Sequence, residues 1–144
     1  MSTQNLKNHV RLVPGYHFLA STTILFALIG ATYNLYKAYV GAGGRVLAAT
    51  LLLAVFSLLL VYWFCRVFAL KAQDRAIRAE ENFRHYLATG KPLDNRLRIG
   101  QIIALRFAGD DEFVALAKRA ADENLSSKDI KAAIVNWKGD YYRA

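Results

Sequence analysis

Between Arg45 and Arg66 the chain carries 20 consecutive uncharged residues, VLAATLLLAVFSLLLVYWFC, at positions 46–65. No other feature restricts the fold as much. At about 1.5 Å of rise per residue this run spans roughly 30 Å as a helix, the thickness of a bilayer's hydrocarbon core. A helix also satisfies its own backbone hydrogen-bonding groups, which a lone strand in lipid cannot do. A second run of 25 uncharged residues, 12–36, lies upstream between Arg11 and Lys37. Pro14-Gly15 interrupts it near its start, so the expected helix covers about 17–40 with the proline at the break before it.

Average composition, 55% hydrophobic and 21% charged, would suit a globular protein. The two classes are segregated, however. Only Lys37 and Arg45 are charged between residues 12 and 65, while 17 of the 19 basic residues and all 11 acidic ones lie outside. That segregation is the mark of a membrane protein with a charged soluble tail. The first apolar run is long for a signal-peptide core and has no small-x-small site after it, so it is expected to be retained. The connection near residues 41–44 is short enough to force an antiparallel hairpin, with both ends of the chain on one side.

The distribution of Lys and Arg names that side. The turn offers Lys37 and Arg45, whereas the other side has Lys7 and Arg11 before the first span and Arg66, Lys71, Arg75, Arg78 and Arg84 after the second. Both termini are therefore expected in the cytoplasm. Lys7, Arg11, Arg66 and Lys71 would meet anionic headgroups, a simpler partner for the net charge of +8 than nucleic acid. Tyr16, Phe18, Tyr33, Tyr36, Tyr39, Tyr62, Trp63 and Phe64 fall where interfacial aromatics belong. Small or polar residues in the first span, Ala27, Gly30, Ala31 and Asn34, stand at four-residue spacings that let helices approach closely. That face would pack either on the second span or on another subunit.

The charged stretch KAQDRAIRAEENFRHY follows the second span with no Gly or Pro before Gly90. Tyr62, Cys65, Ala69, Ala72, Ala76, Ala79, Phe83 and Tyr86 are spaced alternately three and four apart, a seven-residue repeat with small residues at most seam positions. Lys71, Asp74, Arg75, Arg78, Glu81 and His85 collect on the opposite face, expected to be the wet one. Asp74/Arg78, Glu80/Arg84 and Glu81/His85 are acid-first i, i+4 pairs, each contributing about 0.2–0.5 kcal/mol to an isolated helix. One helix over about 46–88 is expected. Its alanine seam (Ala69, Ala72, Ala76, Ala79, Phe83 and Tyr86) needs a close neighbour, either the same seam in another copy or the chain's own tail.

Beyond it, TGKPLD ends the long helix through Gly90 and Pro92. Three short helices are expected: one over about 95–107 capped by Asp94, one opened by Asp110 or Asp111, and one opened by the capping box Ser126-Ser127-Lys128-Asp129 and running through Ile130, Ala133, Ile134 and Trp137. The end, GDYYRA, reads as an aromatic strap. Ala120, Asn124, Leu125, Ser126 and Ile130 also fit helix-turn-helix spacing, with Lys128 and Lys131 offered to a DNA groove. Acidic Asp122, Glu123 and Asp129 lie close by and oppose that reading.

Site chemistry is sparse. There is no Gly-rich phosphate loop, CxxC, HExxH or nucleophile elbow, so no catalytic, cofactor or metal residue is assigned and a non-enzymatic role is expected. Glu81 and His85 supply only two potential metal ligands. His9 and His17 lie near one interface, and the lone Cys65 sits in an apolar run as a packing residue.

The blocks NHVRLVPGYHF, FALKAQDRAIRAEENFRHY, GKPLD and QIIALRFAGDDEF together resemble a family of small bacterial two-span membrane proteins of unknown function. The resemblance covers most of the chain and implies a bacterial inner-membrane protein with a helical cytosolic end. It transfers no catalytic residue and no ligand.

The expected architecture is thus all-α. An interfacial segment, 1–16, precedes a two-span hairpin at 17–70 (spans 17–40 and 46–70), a cytosolic extension of the second span at 71–89 and a small helical domain at 90–144. The expected role is a self-associating membrane scaffold that presents a cytosolic surface to a partner. A membrane-tethered nucleic-acid binder and a transport or channel subunit are the alternatives.

Overall fold

A computed structural model describes residues 12–41 and 43–140. All its named elements are helical. The chain divides into two compact units, one over residues 12–69 and the other over residues 70–140.

In the first unit two helices are long and apolar enough to cross a membrane, Gly15–Val40 and the start of Arg45–Thr89. In their most apolar windows only 6% and 11% of residues are buried, unlike the core helix of a soluble protein. The first helix opens as a π-helical segment, Gly15–Ala20, and continues as α1, Ser21–Val40. Pro14 stands just before the opening, where its missing N–H costs nothing. The wide turn sets Tyr16 flat against Tyr62, with ring centroids 4.3 Å apart and planes 9° from parallel. Tyr16 donates its hydroxyl hydrogen to the Tyr62 carbonyl (2.7 Å), and the Tyr62 hydroxyl lies 2.7 Å from Ser21 Oγ. At the far end of α1, Arg45 donates to the carbonyls of Ala38 and Tyr39 (3.4 Å each) and lies 5.4 Å from the Tyr39 ring centre, satisfying helix-terminal carbonyls. Gly43 and Gly44, with φ of +131° and +79°, take the turn through backbone conformations that side chains disfavour.

The second long helix, α2, is Arg45–Thr89, an unbroken 45 residues. That is about 68 Å of helix, twice what a bilayer core requires. Gly90, at φ +71°, closes it in a left-handed cap, donating its N–H to the Tyr86 carbonyl (2.8 Å). The Asn82 side-chain oxygen then accepts the Leu93 N–H at 2.9 Å, turning the chain back along the helix.

Three short helices follow, α3 (Ile99–Leu105), α4 (Asp110–Asp122) and α5 (Ser127–Ala133), around a core whose largest fully buried side chains are Phe107, Phe113, Leu105 and Ile130. The first is shorter than the expected 95–107. Asp94 does not cap it: its carboxylate accepts the Arg96 N–H (2.9 Å) and the Arg96 guanidinium, which spends those residues on a turn. Gln101 makes the real start. Its Oε1 accepts the Arg98 N–H (2.7 Å), and its buried Nε2 donates to the Leu125 carbonyl (2.8 Å).

Between α4 and α5, Asn124 takes φ +49° and the Leu125 N–H reaches the Ala120 carbonyl (3.2 Å), a Schellman closure. Ser126 then caps α5 as its spacing predicts, accepting the Asp129 N–H at 3.1 Å. The helix ends at Ala133, short of Trp137. The chain leaves it because Glu112 on α4 accepts the N–H groups of Val135 and Asn136 (3.1 and 2.9 Å), and Trp137 pairs with Ala108 in an isolated bridge. Most of the proposed aromatic strap, residues 141–144, lies outside the described residues.

Candidate functional site

The tail docks on α2 at the far end of the face expected to be wet, around Glu81 and His85. Arg84 organises the contact. Its Nε donates to Asp110 (2.7 Å), one terminal nitrogen to Glu81 (3.0 Å) and the other to the Ala108 carbonyl (2.8 Å). The guanidinium carbon also sits 4.1 Å from the centre of the Phe113 ring, a cation–π contact. Glu81 is only 9% exposed, and Ile77 one turn earlier is buried. His85 meets the edge of Phe113 at 6.1 Å and places Nδ1 2.8 Å from the Lys91 carbonyl.

Asp110 is the first residue of α4, followed by Asp111 and Glu112, so the helix's positive end faces three carboxylates. The Arg84 guanidinium, with Lys138 behind it, holds the Asp110 carboxyl below its ordinary range. In the loop before α3, hydrogen bonds from Arg96 hold the half-buried Asp94 carboxyl down to about 2. An open groove of about 700 Å³ beside Arg84 is lined by Phe83, Leu87, Arg106, Lys138 and Asp140 among others. Its cations are already matched with carboxylates, Arg106 to Asp140 and Lys138 to Asp110.

The wet-face expectation is therefore corrected at Glu81 and His85, while Lys71, Arg75 and Arg78 are exposed as expected. Among the described residues no ion pair joins Asp74 to Arg78, Glu80 to Arg84 or Glu81 to His85. Arg84 instead bridges Glu81, three residues back, to Asp110, because a planar five-donor group can serve two carboxylates and a carbonyl at once. The pair Glu81-x-x-Arg84 and the acidic triplet 110–112 were both visible in the sequence. Only the fold brings them together, because they lie on separate helices.

The quiet side of the helix is uncovered. Ala69, Ala72, Ala76 and Ala79 are all exposed, as are Phe83 at 61% and Tyr86 at 53%. The tail therefore does not occupy the seam. Tyr62, at its upper end, is taken by Tyr16.

In α1, Ala31 is buried, while Ala27, Gly30 and Asn34 are exposed. The covered stripe runs instead through Ser21, Ile24, Leu28, Ala31, Leu35 and Ala38. Arg66 is half-buried 5.9 Å from the Tyr16 ring centre, Lys71 is exposed, and Lys7 and Arg11 lie outside the described residues. Glu81 spends its charge on Arg84, and no three His, Cys, Asp or Glu side chains gather as a metal site among the described residues.

The helix-turn-helix spacing does produce two helices joined by a tight turn. Lys128 is exposed, but the Lys131 amine lies 5.5 Å from the Phe107 ring centre, and α5 spans only seven residues.

A family model matches residues 1–144, the whole chain. The chain belongs to a family of unknown function, DUF6526. No curated protein and no solved structure matches it. For this DUF6526 chain the family carries no ligand or reaction. The site therefore rests on geometry: a charged clamp holding the tail on one side of α2, and an open alanine seam on the other.

Proposed function

We propose that this chain is a non-enzymatic, two-span protein of the bacterial inner membrane. Its spans form an antiparallel hairpin with both termini cytoplasmic. It associates with further copies of itself through the seam on α2 and presents its tail as a cytosolic interaction surface. One observation carries this reading: the tail docks on Ile77, Glu81, Arg84 and His85, while the alanine face of the same helix stays open.

Three further points support it. The apolar side chains of 12–65 stay exposed, which water would penalise at about 25 cal/mol per Å² and lipid would not. Tyr16 against Tyr62 and Arg45 against the end of α1 are the contacts an antiparallel pair of spans would make at its two ends. The helix is also more than twice as long as a bilayer's hydrocarbon core is thick, so its charged half would stand outside that core, among the headgroups and in water.

The test is disulfide formation in membranes by single cysteines in a Cys65→Ser chain. Ala72→Cys, Ala76→Cys and Ala79→Cys should crosslink copies efficiently, and Lys71→Cys and Arg78→Cys should not. Equal, weak crosslinking at all five positions contradicts the reading.

A further inference from the structure

We propose that the second copy lies parallel and in register along the seam, fixed by reciprocal ion pairs between Arg75 of each copy and Glu80 of the other. This rests on the self-association proposed above and gives it a direction and a register. Written as a heptad, the seam has Ala69, Ala76 and Phe83 at a and Ala72, Ala79 and Tyr86 at d. The flanking positions are then Arg75 and Asn82 at g, and Gln73, Glu80 and Leu87 at e. In a parallel two-stranded coil, a g residue faces the e residue five positions further along its partner. Arg75 thus meets Glu80, and the two-fold axis makes the pair twice.

The state of these two side chains fits that role. Both are exposed, and among the described residues neither enters an ion pair. Their neighbours Glu81 and Arg84 satisfy each other within the chain. Arg84, which would otherwise compete for Glu80 at i+4, is turned toward Asp110. Ile77, Glu81, Arg84 and His85 fall at b, f, b and c, and the tail reaches the flank of the seam at Asn82, a g position, yet Arg75, Glu80 and the alanines at a and d stay exposed.

Alanines at a and d permit close approach yet bury little apolar surface. The flanking charges and the terminal pair Phe83 and Tyr86 must therefore set the register.

The experiment uses the full chain in membranes, with Cys65→Ser and Ala76→Cys as the starting background and two epitope tags. Arg75→Glu or Glu80→Arg alone should lower the disulfide-linked dimer about fivefold, since two attractions become two repulsions. The double exchange Arg75→Glu with Glu80→Arg should restore it. Co-expressing the two single variants should enrich the mixed dimer over either homodimer. A starting chain that crosslinks well but ignores these exchanges, or is not rescued by the double one, overturns the pairing and leaves self-association standing. A starting chain that does not crosslink overturns both.

Discussion

Arg84 shows how much one side chain can settle. A guanidinium has enough donors to hold a carboxylate on its own helix, another at the start of α4 and a backbone carbonyl between them. Replacing it with alanine removes those charge-assisted bonds and strands Glu81 in a nearly closed site. Arg84→Ala should therefore destabilise the docked tail by about 2 kcal/mol. Arg84→Lys should recover less than half of that, because a single ammonium cannot span the three acceptors. Amide hydrogen exchange across α4 in the full chain reads the effect, and unchanged protection in Arg84→Ala would contradict the clamp. This residue also explains why the charged face is covered at Glu81 and His85. Charge marks water where surface pairs are isolated, and ceases to do so where opposite charges meet across two elements.

At the level of elements, legibility followed how local the cause was. Runs of uncharged residues, the Gly90 stop and the Ser126 cap each act within a few positions, and each appears where it was expected. Ser126→Ala should cost about 1 kcal/mol by freeing the Asp129 N–H. Chemical denaturation followed through Trp137, in a chain with Trp63→Phe, measures it, and a loss below a few tenths would count against the cap. The elements misjudged depend on distant partners. The helix expected from residue 95 starts at Ile99 because Arg96 reaches Asp94 and Asp122 together, holding the turn open. Trp137 leaves α5 because Glu112, on another helix, accepts the backbone of Val135 and Asn136. The π-helical opening at Gly15–Ala20 accompanies the Tyr16–Tyr62 stack, 46 positions apart in sequence, which no window on the first span alone contains.

For the whole molecule, the informative fact is what α2 leaves unused. A heptad marks a face that wants a neighbour but does not say which. The docked tail removes one candidate, since Ala72, Ala76, Ala79, Phe83 and Tyr86 remain exposed with the tail in place. The proposed self-association would cover that face, and, with two spans per copy held in lipid, the copies would be oriented alike. Copy number decides whether the seam joins subunits. Native mass measurement of the complex released from lipid nanodiscs tests this most directly. The prediction is an integral multiple of the 16.1 kDa chain, two or more, reduced to one by large charged residues at Ala72 and Ala79. A single 16.1 kDa species for the unaltered chain, at every protein concentration tried, would contradict the account.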